Sequence, residues 1–256
     1  MFGEKNFQPA EETPLMDARW LQARAIVRQL EEPARNLLNH LRPKIDNLEY
    51  DSVLGDDTSG RIHARLLAEA IDEIYGERKK LSTVFVQGGT ILKANNYEYN
   101  DYVRILGGTP VTQSTTQAEE VADYLSHMKP RLGSKTLVVT EEIGRGDSIE
   151  KLVSILRSKG VEADAVSFGT VNPRRAKDNL LVTKGGTEIV LGNMYEAPIV
   201  PEKYAGTQRR RRSGRGHALK RQPETENERK GIYFIRQATK ELAHKLAMEY
   251  LAQERP

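Results

Sequence analysis

The chain has no cysteine, which rules out a disulfide framework, a thiolate zinc site and a cysteine nucleophile, and fits a reducing compartment. Its five histidines, His40, His63, His127, His217 and His244, stand too far apart for metal-ligand spacing, so zinc chemistry has no support. No Gly-x-x-x-x-Gly-Lys-Ser/Thr loop occurs, which argues against an ordinary nucleoside triphosphatase. No stretch approaches the ~20 apolar residues of a membrane-spanning helix, and MFGEKNFQPAEETPLMDARW lacks an apolar run of signal-peptide type. The expectation is a soluble, cytoplasmic protein with no membrane partner. Net charge is low as well, +3 over 256 residues, so the molecule as a whole is not a polybasic binder. No internal repeat is visible.

What is present changes character along the chain. From Leu15 to Leu48, apolar residues recur at helical spacing, with Pro33 and Pro43 read as interruptions. A turn, Gly55 to Arg61, precedes a further helical pattern from Ile62 to Tyr75. The middle of the chain then alternates short β-branched runs with helical patterns. The runs are Thr83 to Val86, Tyr102 to Leu106, Thr136 to Val139, Ala163 to Phe168 and Glu188 to Leu191. Such alternation predicts an α/β fold: a parallel sheet of about five strands flanked by helices, with extra helices at both ends. The expected division is a helical segment over 1–80, an α/β core over 81–200, a basic mobile loop over 201–228 and an amphipathic helix over 229–256 that packs on the core.

One stretch concentrates the chemistry: LVVTEEIGRGDSIEKL, Leu137 to Leu152. A strand that feeds a short glycine turn and then a helix can direct several backbone N–H groups and the helix dipole at one anion. Gly144 and Gly146 suit that turn. The same residues also suit a plain turn in which Asp147 or Ser148 caps the helix and Glu150 pairs with Asp147.

The longer pattern separates these readings. Apolar strand, acidic residues, short turn, Gly-x-Ser and an aliphatic residue, continued by LVSILRSKGVEADAVSFGT, resembles the phosphoribosyl pyrophosphate signature of type I phosphoribosyltransferases. Aligned without a gap, Thr140 and Glu141 take the positions of the acidic pair; a shift by one gives Glu141 and Glu142. Arg145 stands where a small hydroxyl residue is usual, and Asp147 brings a carboxylate close to the phosphate position. TVFVQGGTILKAN, Thr83 to Asn95, is similar to the family's pyrophosphate-contacting strand, loop and helix. Together the likeness spans about Leu81 to Leu191.

The resemblance implies a transferase of nucleotide metabolism, a pentosyl glycosyltransferase. Glu141 and Glu142 would act on the ribose, and Gly144, Arg145, Gly146, Asp147 and Ser148 would hold the 5′-phosphate. Gln87, Gly88, Gly89 and Thr90 would contact pyrophosphate. Magnesium would be the cofactor, reached by Glu141 indirectly through ligand or water, and phosphoribosyl pyrophosphate or a related phosphorylated molecule the ligand. The loop from Gly107 to Gln117 lies where an active-site cover is expected, or is a polar connector.

Two features stand outside the resemblance. Asp56, Asp57 and Arg61 can bind a metal and a phosphate, though acidic residues before a helix more often serve its cap and dipole. Arg209, Arg210, Arg211, Arg212 and Arg215, with Lys220 and Arg221, form a dense positive strip. It can neutralise nucleic-acid phosphates nonspecifically, or be a solvated loop. It supports the alternative of a noncatalytic regulator or nucleic-acid binder of the same fold. A homodimer is left open.

Overall fold

In the computed structural model, which describes residues 18–56, 60–86, 114–197, 200, 207–208, 219–220 and 225–253, one seven-stranded sheet forms the centre. Its strands are β1 (Ser52–Asp56), β2 (Ser82–Val86), β3 (Lys135–Ile143), β4 (Glu162–Thr170), β5 (Ala176–Lys177), β6 (Leu180–Val182) and β7 (Glu188–Leu191). They lie in the order β2-β1-β3-β4-β7-β6-β5. From β2 to β7 every neighbouring pair is parallel, whereas β6 and β5 close one edge antiparallel. The fold is therefore α/β, as the alternation predicts, with more strands than expected.

The helices are α1 (Ala18–Arg28), α2 (Glu31–His40), α3 (Arg42–Asp46), α4 (Gly60–Tyr75), α5 (Ser114–Leu132), α6 (Asp147–Ser158) and α7 (Glu226–Ala252). Strand residues alternate between two apolar layers. Leu137 and Val139 of β3 face a layer built with α1, α2, α4 and α7, and Val138 faces the layer under α5 and α6. With both faces covered, the centre of β3, Leu137 to Val139, reads as a continuous apolar run.

Local chemistry sets several boundaries. Pro33 sits in the first turn of α2 and Pro43 at the start of α3. There a missing N–H costs nothing, so the helical run breaks just before each proline, as expected, and each proline lies in the first turn of the next helix. Thr225 Oγ1 accepts the N–H of Glu228 at 3.1 Å and so caps α7. The β5 to β6 hairpin turns through Asp178 and Asn179, both with positive φ (52° and 60°), the conformation a tight two-residue turn demands.

The amino ends of the strands are cross-tied. Asp51, just before β1, accepts hydrogen bonds from Ser134 N at 2.6 Å, Ser134 Oγ at 2.6 Å and Lys135 N at 3.1 Å, and pairs with Lys79 at 2.7 Å. Asp164 of β4 accepts from Lys44 Nζ at 2.8 Å and Tyr50 Oη at 2.9 Å. These ties fix β1 against β3 and β4 at the end away from the glycine turn.

Three expectations need correction or fall elsewhere. The helical segment assigned to 1–80 contains β1, which is a central strand of the sheet and not an outlying element. Its five residues include Gly55 and Asp56, so its apolar run is too short to declare itself. The strand expected at 102–106 and residues 107–113 of the loop expected over 107–117 lie outside the described residues, whereas 114–117 form the first turn of α5. The basic segment is bracketed by two short paired strands, β8 (Thr207–Gln208) and β9 (Leu219–Lys220), while Arg209 to Arg212 and Arg215 lie outside the described residues.

Candidate functional site

From β1 the chain passes through α4 to β2 on one side, then through α5 to β3 on the other. The connections diverge between β1 and β3, and open parallel sheets bind ligands outside the carboxyl ends of their strands at such a point. Both turns that leave this point are short and begin a helix.

The turn after β3 is the one the sequence singles out. β3 runs on to Ile143, past Glu141 and Glu142, and α6 starts at Asp147. Gly146 caps the helix in the left-handed conformation, φ +81°, and provides no side-chain hydrogen bond to the first-turn amides. Asp147 and Ser148 thus lie inside the first turn, so the expected capping by either of them does not occur. The positive end of the α6 dipole is left uncapped by a side chain.

The two glycines differ. A Cβ on Gly146 would stand 2.8 Å from Thr183 Cγ2 and 2.9 Å from Ile189 Cδ1, so the residue is required by conformation and by packing on the β6 to β7 edge. A Cβ on Gly144 would meet only Val171 Cγ2, at 3.4 Å.

One pair of opposite charges spans the turn. Arg145 Nε lies 3.0 Å from Asp147 Oδ2, so the carboxylate nearest the uncapped helix end is compensated by its neighbour. Glu142 Oε1 accepts the N–H of Ala197 at 3.1 Å. Its carboxyl is pushed above the ordinary range, first by burial and then by Glu196 and Glu141, with the Ala197 bond opposing. Glu141, on the neighbouring position of β3, is partly buried.

A crossing segment completes the wall. Tyr195 O accepts the N–H of Thr170 at 2.9 Å, which holds residues 195–197 over the end of β4. A Cβ on Gly169 would lie 2.4 Å from both Tyr195 O and Ala197 N, so only glycine permits this approach. Tyr195 remains 72% exposed.

The start of α4 belongs to the same place. A Cβ on Gly60 would touch Val139 O at 3.6 Å and Glu141 N at 3.7 Å, so the first residue of α4 lies directly against the end of β3. Arg61 follows, its guanidinium 4.4 Å above the Phe85 ring. By contrast, β2 is separated from β3 by β1, and Gln87, Gly88, Gly89 and Thr90 after it lie outside the described residues. The start of α4 is therefore nearer the end of β3 than β2, the strand leading to the double glycine, is. Asp56 ends β1; Asp57 lies outside the described residues.

Sequence reasoning brought Glu141, Glu142 and Gly144 to Ser148 together because they are contiguous. It missed Tyr195, Ala197 and Gly60, which reach the site only through strand order and a chain crossing. No protein-family model and no curated protein matches the chain. No helix among the described residues is long and apolar enough to cross a membrane.

Proposed function

We propose that the protein is a divergent phosphoribosyltransferase of the type I fold. In this reading it binds phosphoribosyl pyrophosphate, or a related phosphorylated ligand, with magnesium outside β1 and β3 and transfers the phosphoribosyl group to a nucleobase-like acceptor. The observation that carries this reading is the uncapped, left-handed Gly146 turn at the point where the connections diverge.

In this reading the amides of the first turn of α6 hold the 5′-phosphate, while Glu141 and Glu142 accept hydrogen bonds from the ribose hydroxyls. The bond from the anomeric carbon to pyrophosphate breaks, and pyrophosphate leaves with the electron pair. A base nitrogen forms the new bond and releases its proton to solvent. The carboxylates favour the positive charge that develops on the sugar, so the protein acts mainly by position and electrostatics. Tyr195 offers an exposed ring on which the base can stack.

Magnesium fits the donor set, because it prefers hard oxygens and keeps water and phosphate ligands. Among the described residues no group of three or more His, Asp or Glu converges, so Glu141 would face the cation through water or through the ligand. When bound, magnesium neutralises pyrophosphate oxygens and improves the leaving group.

Calorimetry with phosphoribosyl pyrophosphate and magnesium tests the reading. Wild type should bind, whereas Glu141→Ala and Ser148→Asp should weaken binding by about tenfold or more. Ser148→Asp is informative because a carboxylate in the first turn favours the helix while repelling phosphate. Unchanged binding in both variants would refute the assignment. Binding without pyrophosphate release for any base would favour the noncatalytic alternative.

A further inference from the structure

A groove of about 600 Å³ lies between α4, β2 and α7, lined by Arg65, Glu69, Thr83, Phe85, Tyr233, Arg236, Gln237 and Lys240. It is set back from the candidate site: Arg65 follows Arg61 by one helical turn, and Glu69 by two. Its volume is in the range of small-molecule sites.

The cations in it are unusual for what they lack. Arg65, Arg236 and Lys240 have no hydrogen bond or ion pair among the described residues, although the groove contains the carboxylate of Glu69, and Glu69 Oε2 is buried with no hydrogen bond either. Arg65 is held below the ordinary guanidinium range by burial and then by the charge of Arg236. Burial likewise pushes Glu69 up, against Arg65 and Lys240. Among the described residues, two arginines and a lysine thus face one recess with a single weakly placed counter-charge, and an anion seated among them would relieve the repulsion.

The recess also offers a ring. Tyr233 is 57% exposed and flanks the same cations one turn before Arg236 and Gln237. We infer that this groove is a binding site for a small phosphorylated organic anion with a planar ring, of the nucleoside monophosphate class. Arg65, Arg236 and Lys240 take its phosphate and Tyr233 its ring. The inference stands apart from the proposed reaction, because none of these residues belongs to the β3 to α6 turn.

The protein contains its own reporter. Trp20, the single tryptophan, packs on Phe234 at 5.9 Å between ring centroids, and Phe234 on Tyr233 at 5.7 Å. Tryptophan fluorescence of the full chain, titrated with AMP, adenosine and inorganic phosphate, therefore reads this groove. Wild type should give a saturable change with AMP and weaker binding of adenosine and of phosphate. Arg236→Ala, at an exposed position, should weaken AMP by about tenfold, the effect of one lost charge-assisted hydrogen bond. Glu69→Gln should tighten it, because a repelling charge is removed.

Opposite signs at Arg236 and Glu69 cannot come from general damage to the fold. An AMP curve that never saturates, or the same curve in wild type and both variants, overturns the site. Phosphate binding as tightly as AMP overturns the ring and leaves the class assignment wrong. AMP that binds at the β3 to α6 turn alone would be insensitive to Arg236→Ala and would count against the groove, whatever the fate of the proposed function.

Discussion

Arg145 Nε stands 3.0 Å from Asp147 Oδ2, across the glycine that caps α6. Of the three positions where the sequence departs from the phosphoribosyl pyrophosphate signature it resembles, Thr140, Arg145 and Asp147, two are thus partners. Arg145 is the more exposed of the pair, with 64% of its side chain accessible against 29% for Asp147. In the proposed reading, an arginine in that position can turn to the ligand's phosphate without leaving the site, since its guanidinium has donors to spare.

Removing the arginine should expose the carboxylate to the ligand. Arg145→Ala is expected to weaken phosphoribosyl pyrophosphate by about tenfold. Adding Asp147→Asn to it should recover part of the loss. Calorimetry on the two single variants and the double variant measures the coupling, and strictly additive effects would refute the pairing as a functional one.

The two glycines of the turn should separate cleanly in urea denaturation. Gly146→Ala places a Cβ at φ +81° and 2.8 Å from Thr183 Cγ2, which should cost about 2–4 kcal/mol from strain and overpacking combined. Gly144→Ala, with only one ordinary contact, should cost less than about 1 kcal/mol. Equal losses would show that the turn is not built as described.

Tyr195 should matter to the acceptor and not to the fold. Tyr195→Ala is expected to leave stability within about 0.5 kcal/mol, as for an exposed side chain. It should raise KM for the base by about tenfold, the value of one stacked ring. Steady-state kinetics across the common nucleobases measures this, and an unchanged KM for every base would exclude stacking on Tyr195.

Asp51 sets an acid limit on stability. Burial alone would raise its pKa, but the bonds from Lys79, Ser134 and Lys135 outweigh burial and hold the carboxyl well below the ordinary range. The stabilisation is therefore complete above about pH 4, the unfolded carboxylate value, and is lost as pH falls towards the depressed folded value. Asp51→Asn should cost about 2 kcal/mol at neutral pH, and the gap from wild type should close on acidification. Denaturation midpoints at a series of pH values check the sign.

The parts of the fold legible in sequence were those with a local cause. β2, β3, β4 and β7 appear as β-branched runs, and α4 and α7 as apolar faces of helical period. β1 escaped because its pairing on both sides supports a short run containing Gly55 and Asp56. The β5 to β6 hairpin escaped because its strands have only two and three residues, though the Asp178–Asn179 pair is a recognisable turn dipeptide.

The sequence by itself determined the alternating α/β plan, the two covered faces of the sheet and the glycine turn that starts α6. These depend on residues close together in the chain, where period, turn chemistry and backbone freedom act locally. Tertiary structure alone decided that β1 lies beside β3, that Gly60 touches the end of that strand, that Tyr195 and Ala197 cross over β4, and that Arg65 and Arg236 share a groove. Those relations depend on strand order and packing between residues far apart in the chain, for which a single sequence has no periodic signature.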